Sequence, residues 1–113
     1  MSEKRKIGSD RADISEKKME QQLVRAVKAA GGICPKWVSP GWDGVPDRIV
    51  LLPGGRIVFA ELKAPGGKVR PLQLARHRQL LRLGFKVYVI VSADQIDGVL
   101  DGIGGRDGYD FTE

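Results

Sequence analysis

The sequence holds one cysteine and one histidine, and each shortage narrows what the chain can be. With Cys34 alone there is no internal disulfide, which fits a reducing compartment, and the thiol reads as a small core hydrophobe rather than a nucleophile. His77 has no second His or Cys at ligand spacing, so it reads as a satisfied or half-buried histidine. No apolar run approaches the ~20 residues of a membrane span. No apolar stretch follows Met1-Ser2-Glu3-Lys4-Arg5-Lys6, so no signal peptide is expected and the expected location is the cytoplasm. Internal repeats are absent. The glycine-rich run from Gly102 to Gly108 neither follows a strand nor opens a helix, so it is no phosphate-binding loop. Neither a membrane partner nor an organic cofactor is expected.

What remains is basic and of single-domain size. The chain has 113 residues and a formal charge of +5, with a sequence pI of about 9.6. That balance suits a polyanionic partner such as nucleic acid.

The chain is organised around Asp47–Lys63. Two apolar, β-branched runs flank Pro53-Gly54-Gly55, which predicts an antiparallel hairpin. If those three residues form the loop, Leu52 faces Arg56 and Asp47 falls opposite Glu61. Directly opposed residues have Cβ atoms roughly 4.5–5.5 Å apart. Lys63 shares the face of Glu61, because strand side chains alternate. Both strands are apolar on both faces, so they read as buried, and a buried pair of like charges needs compensation. A hard divalent cation would supply it, since Mg²⁺ takes carboxylate and carbonyl oxygens. A salt bridge from Lys63 or Arg48 is the alternative, and hairpin geometry does not choose between them.

Around the hairpin the chain reads in order. Residues 1–13 are charged and lack apolar periodicity, which predicts a flexible basic arm. A helix is expected from Ile14 to Ala30, with Asp13 and Glu16 at capping-box spacing, an apolar stripe of Met19, Leu23, Ala26, Val27 and Ala30, and Gly31-Gly32 as its stop. Glu20, with Glu16 one turn earlier, borders that stripe. Ile33–Val38 is expected to be a short edge strand, confined there by Pro35. A turn-rich loop, Ser39–Pro46, delivers Asp47, and Trp37 and Trp42 read as its partly buried anchors. Ala64–Arg70 is a basic loop. A second helix starts at Pro71 and ends before Gly84, with Gln73 and His77 on its inner side. Phe85–Val91 is a strand parallel to the second arm of the hairpin. Ser92 and Gln95 cap a last helix reaching Leu100, and 102–113 forms a glycine-rich tail. The expected class is α/β, a small mixed sheet flanked by helices in the order α-β-β-β-α-β-α.

Pro46-Asp47 followed by Glu61-Leu62-Lys63 resembles the PD-(D/E)xK nuclease pattern. From about Met19 to Leu100 the chain resembles the VRR-NUC (virus-type replication-repair nuclease) domain. The match takes in the first helix with Glu20, Ser39-Pro40-Gly41 with Gly44-Val45-Pro46-Asp47-Arg48, Glu61-Leu62-Lys63, Gln73, and Gly84 before the last strand. Glu20 is preferred to Glu16 as the N-terminal acidic position, because Leu23 and Val24 match the family's helix better.

The resemblance implies a restriction-endonuclease-like fold over residues 14–101. It also implies metal-dependent phosphodiester hydrolysis with Mg²⁺ or Mn²⁺. Asp47, Glu61 and the Leu62 backbone carbonyl would be ligands, and Glu20 would complete the site directly or through water. Lys63 would stand at the attacking water and scissile phosphate, with Gln73 holding the site from the second helix. The implied assembly is a homodimer acting on branched DNA such as a four-way junction. Arg48, Lys68, Arg70 and Arg76 would supply the phosphate contacts. An end-processing nuclease of the same fold, or a non-catalytic nucleic-acid-binding protein that keeps it, are the competing readings.

Overall fold

Helix α1, Ser2–Ala29, stops where its sequence runs out of side chains. Gly31 takes a φ of 89°, which only glycine adopts without strain. That lets Gly32 N–H bond back to the Val27 carbonyl at 2.9 Å and Gly31 N–H to that of Lys28 at 2.9 Å, a Schellman ending. A computed structural model describes residues 2–101, with side chains from Glu16 onward. The helix begins at Ser2, not at Ile14, so much of the segment expected as an arm carries helical backbone. Its lysines, arginines and glutamates are good helix formers, and it holds no proline to force a break near Asp13. The tail assigned to 102–113 lies outside the described residues.

The hairpin has the expected register. Strands β1, Arg48–Leu52, and β2, Arg56–Leu62, pair antiparallel with Leu52 facing Arg56 and Arg48 facing Ala60. Helix α2, Pro71–Arg82, then returns the chain to β3, Lys86–Ile90, which pairs parallel with β2. The sheet order is β1-β2-β3. A 3₁₀ turn at Ala93–Gln95, capped by Ser92 as expected, leads into α3, Ile96–Asp101.

The short edge strand expected at Ile33–Val38 does not form. Two isolated bridges, Ile33 to Leu51 and Lys36 to Arg48, stand in its place beside β1. Proline explains the interruption. The Ile49 N–H donates to the Pro35 carbonyl at 3.0 Å, but Pro35 has no N–H to return, while Trp37 resumes the pairing by donating to the Asp47 carbonyl at 2.9 Å.

Strand alternation sorts the side chains onto two faces. Val50, Leu52, Val58, Ala60, Leu62 and Ile90 pack with Met19, Leu23 and Val27 of α1 and with Ile96 and Val99 of α3. The other face carries Phe59 and Val87 against Leu80 of α2, with Ile49, Trp37 and Trp42 alongside. Both tryptophans are half-buried anchors: Trp37 lies 5.1 Å from Phe59 and 6.0 Å from Trp42, ring centre to ring centre. Glu61 and Lys63 follow Phe59 on this second face.

Candidate active site

The site sits where the loop 39–46 enters β1. That loop is fastened to α2 at several points. Gly44, at φ 88°, lies so close to Leu72 that a Cβ there would meet Leu72 Cγ at 2.8 Å. Arg76 Nε donates to the Asp43 carbonyl at 2.7 Å, and its guanidinium carbon stands 4.9 Å from the centre of the Trp42 ring. The loop therefore hands Asp47 to β1 in a fixed position, and Trp37 holds the Asp47 backbone from the other side.

Asp47 Oδ2 accepts a hydrogen bond from the Leu62 N–H at 2.9 Å, which ties it to the residue next to Glu61. Continuing the hairpin register by one pair puts Asp47 opposite Glu61. Burial, and then the charge of Glu61, push the Asp47 pKa up from 3.8 to about 6, against the opposing pull of the Leu62 N–H and Lys63. An ionised Asp47 is thus under electrostatic stress in this fold.

Glu61 is buried to 1% exposure, and its neighbours on β2 and α2 surround it. Its Oε2 accepts from Gln73 Nε2 at 2.7 Å and lies 3.5 Å from Lys63 Nζ. The Gln73 amide is oriented from its far end: its Oε1 accepts the Arg70 N–H at 2.9 Å at the start of α2, which turns the NH₂ group toward Glu61. Glu61 Oε1 is buried without a hydrogen-bond partner, and His77 Nε2 faces it at 3.6 Å. Asp47, Glu61, Lys63 and Gln73 are therefore brought together, and Leu62 enters through its N–H. His77 was missed as a member of this group, although its placement one turn beyond Gln73 on the same helical side was the available signal.

Glu20 is placed differently. Its carboxylate accepts from Arg48 Nε at 2.9 Å, and Arg48 Nη1 donates to the Cys34 carbonyl at 2.7 Å. Strand parity explains this: Arg48 is one residue from Asp47 and points to the α1 side. Glu20 still borders the site, because Glu16, Glu20 and Asp47 line one cleft of about 290 Å³ with Lys36, Trp37 and Pro46. Cys34 is buried beneath that pair, and burial raises its pKa, so the thiol stays neutral.

Arg48 and Arg76, both expected at phosphate, are half-buried and hold protein partners in this structure. One is spent on Glu20 and Cys34, and the other fastens the loop. Lys68 and Arg70 are exposed on the loop before α2, where a phosphate could reach them.

The donor set suits a hard cation in part. Two opposed carboxylates, one with a raised pKa and one with an orphaned buried oxygen, form a site whose electrostatics a divalent ion would relieve. Among the described residues no three of His, Cys, Asp or Glu stand close enough to hold a metal ion, since Glu20 is turned to Arg48.

A mixed sheet that carries an aspartate at the start of one strand, and Glu-x-Lys at the end of the next, defines a nuclease of the PD-(D/E)xK class. No family model matches the chain. It is 52% identical over 81 residues to "Putative nuclease p44" of Acyrthosiphon pisum secondary endosymbiont phage 1, covering 72% of this chain and 87% of that protein. It also superposes on a solved VRR_NUC domain with a TM-score of 0.71 at 29% identity, covering 79% of this chain and 97% of the other. The chain belongs to the VRR-NUC family, in its phage-type branch.

Proposed function

We propose that the protein is a Mg²⁺- or Mn²⁺-dependent endodeoxyribonuclease that cuts branched DNA, four-way junctions foremost, as a homodimer. The observation that carries the nuclease reading is the opposition of Asp47 and Glu61, with Lys63 Nζ 3.5 Å from Glu61. The bound cation would lower the pKa of a water and polarise a phosphoryl oxygen. Asp47 and Glu61 would hold it, with the Leu62 carbonyl as a further ligand and Glu20 joining directly or through water.

The protein groups divide the remaining work. Gln73 keeps the Glu61 carboxylate in one orientation. Lys63 places positive charge where negative charge develops on the phosphate. Lys68 and Arg70 take up phosphates flanking the cut, and binding should weaken steeply with salt. The preference for branched DNA and the dimer rest on the family resemblance, and a two-fold dimer presents two identical sites to a two-fold substrate. The lone, buried Cys34 suits the reducing cytoplasm of a bacterial or phage-infected cell.

The test is cleavage of labelled four-way junction, flap, single-stranded and linear duplex DNA with Mg²⁺, Mn²⁺ or chelator. Junction cutting that needs metal and disappears in Glu61→Ala is the expected result. Binding without cutting under every metal condition would mean a non-catalytic binder, and cutting confined to linear ends would mean an end-processing enzyme.

A further inference from the structure

Helix α2 presents Gln73, His77 and Leu80 to the sheet at successive turns. Leu80 packs on Phe59 and Val87, and Gln73 bonds Glu61. His77, between them, is completely buried at 0% exposure. An apolar residue would fill that volume at lower cost, because burying an imidazole is unfavourable unless a polar group receives it. One group that its ring faces is Glu61 Oε1, 3.6 Å from Nε2, the one Glu61 oxygen that lacks a hydrogen bond.

We propose that His77 is a positioning residue for Glu61. It and Gln73 bracket the carboxylate, one α2 side chain at each oxygen. The terminal torsion of a glutamate is broad and roughly two-fold, so a contact at Oε2 alone leaves the group free to rock. A second group at Oε1 removes that freedom and fixes the direction in which the carboxylate faces the cleft. Both side chains come from one helix at a spacing of four residues, so the bracket is as rigid as α2 itself. The inference rests on the reading of Asp47 and Glu61 as cation ligands. Groups that orient ligands in this way typically govern metal affinity by 10- to 100-fold.

The experiment is calorimetric Mn²⁺ binding, without DNA, to wild type, His77→Leu, His77→Gln and Glu61→Gln, with a melting curve for each metal-free protein. His77→Leu should weaken binding about 10- to 100-fold. His77→Gln, which keeps an N–H donor at similar reach, should recover most of that loss. His77→Phe replaces His77→Leu if the latter fails to fold. Equal binding by wild type and His77→Leu, with binding lost in Glu61→Gln, would overturn the proposal and leave the metal site standing. Equal weakening in His77→Leu and His77→Gln would also overturn it, by making packing the cause. Wild type that ignores Mn²⁺, or Glu61→Gln that binds it as well as wild type, would defeat the metal site and this proposal together.

Discussion

On the α1 side of the sheet, Val50, Val58, Ala60 and Ile90 meet Leu23 and Val27 in a continuous apolar layer. On the α2 side, Phe59 and Val87 share their face with Glu61 and His77, the two buried polar side chains among the described residues. The same three strands serve both, and alternate residues of β2 belong to different tasks. Ala60 and Leu62 hold the fold together, while Glu61 between them carries a charge that the fold alone has no use for. Stability is concentrated on one face, so the other can tolerate two carboxylates in opposition. Substitutions on the two faces should therefore fail in different ways.

The largest effect on folding should come from Leu23→Ala, since Leu23 is fully buried. A loss of about 2–5 kcal/mol is expected in denaturant unfolding, with cleavage per folded molecule unchanged. A cost below 1 kcal/mol would show that the apolar face is not the main support.

Lys63→Ala should lower the melting temperature of the metal-free protein, because it leaves the buried Glu61 carboxylate without the cation 3.5 Å away. It should lower the cleavage rate by about 10²- to 10³-fold while sparing DNA binding. Cleavage near the wild-type rate would remove Lys63 from the chemistry and make it a structural counter-charge.

A smaller effect is expected on the pH dependence of metal-free stability. The Asp47 pKa is about 6 in the fold against an ordinary 3.8. Folding thus favours the protonated carboxyl. Its contribution is complete below the ordinary value and is lost as the pH rises through about 6. The melting temperature of Asp47→Asn should lack this component, so the gap between mutant and wild type should open between pH 4 and 7. A gap of constant size would show that Asp47 ionises in the fold as it does in the unfolded chain.

Much of this division is legible in the sequence. Apolar runs around Pro53-Gly54-Gly55 set the hairpin register, and the register put Asp47 opposite Glu61. Pro71 marked the start of α2, and Ser92 with Gln95 marked the last cap. These are local signals, confined to a few residues each. What escaped was set by partners distant in sequence. The pairing of Arg48 with Glu20, which sits on another element, is not readable from either residue's neighbours in sequence. The contacts of Arg76 with the Trp42 ring and the Asp43 carbonyl likewise come from a loop distant in sequence. Pro35 did signal an edge, but the loss of one N–H proved enough to reduce a strand to isolated bridges. His77 shared a helical side with Gln73, yet nothing local said that a carboxylate oxygen would face it.

The most direct test of the two-face account is the melting temperature of wild type and Asp47→Asn at pH 8, each with and without Mn²⁺. Without metal, Asp47→Asn should melt higher than wild type, because the mutation relieves the repulsion with Glu61. With Mn²⁺, wild type should rise by several degrees while Asp47→Asn stays where it was. A metal-free mutant that melts clearly below wild type, together with a wild type indifferent to Mn²⁺, would show that the carboxylates on the α2 face hold the fold together and do not serve a cation.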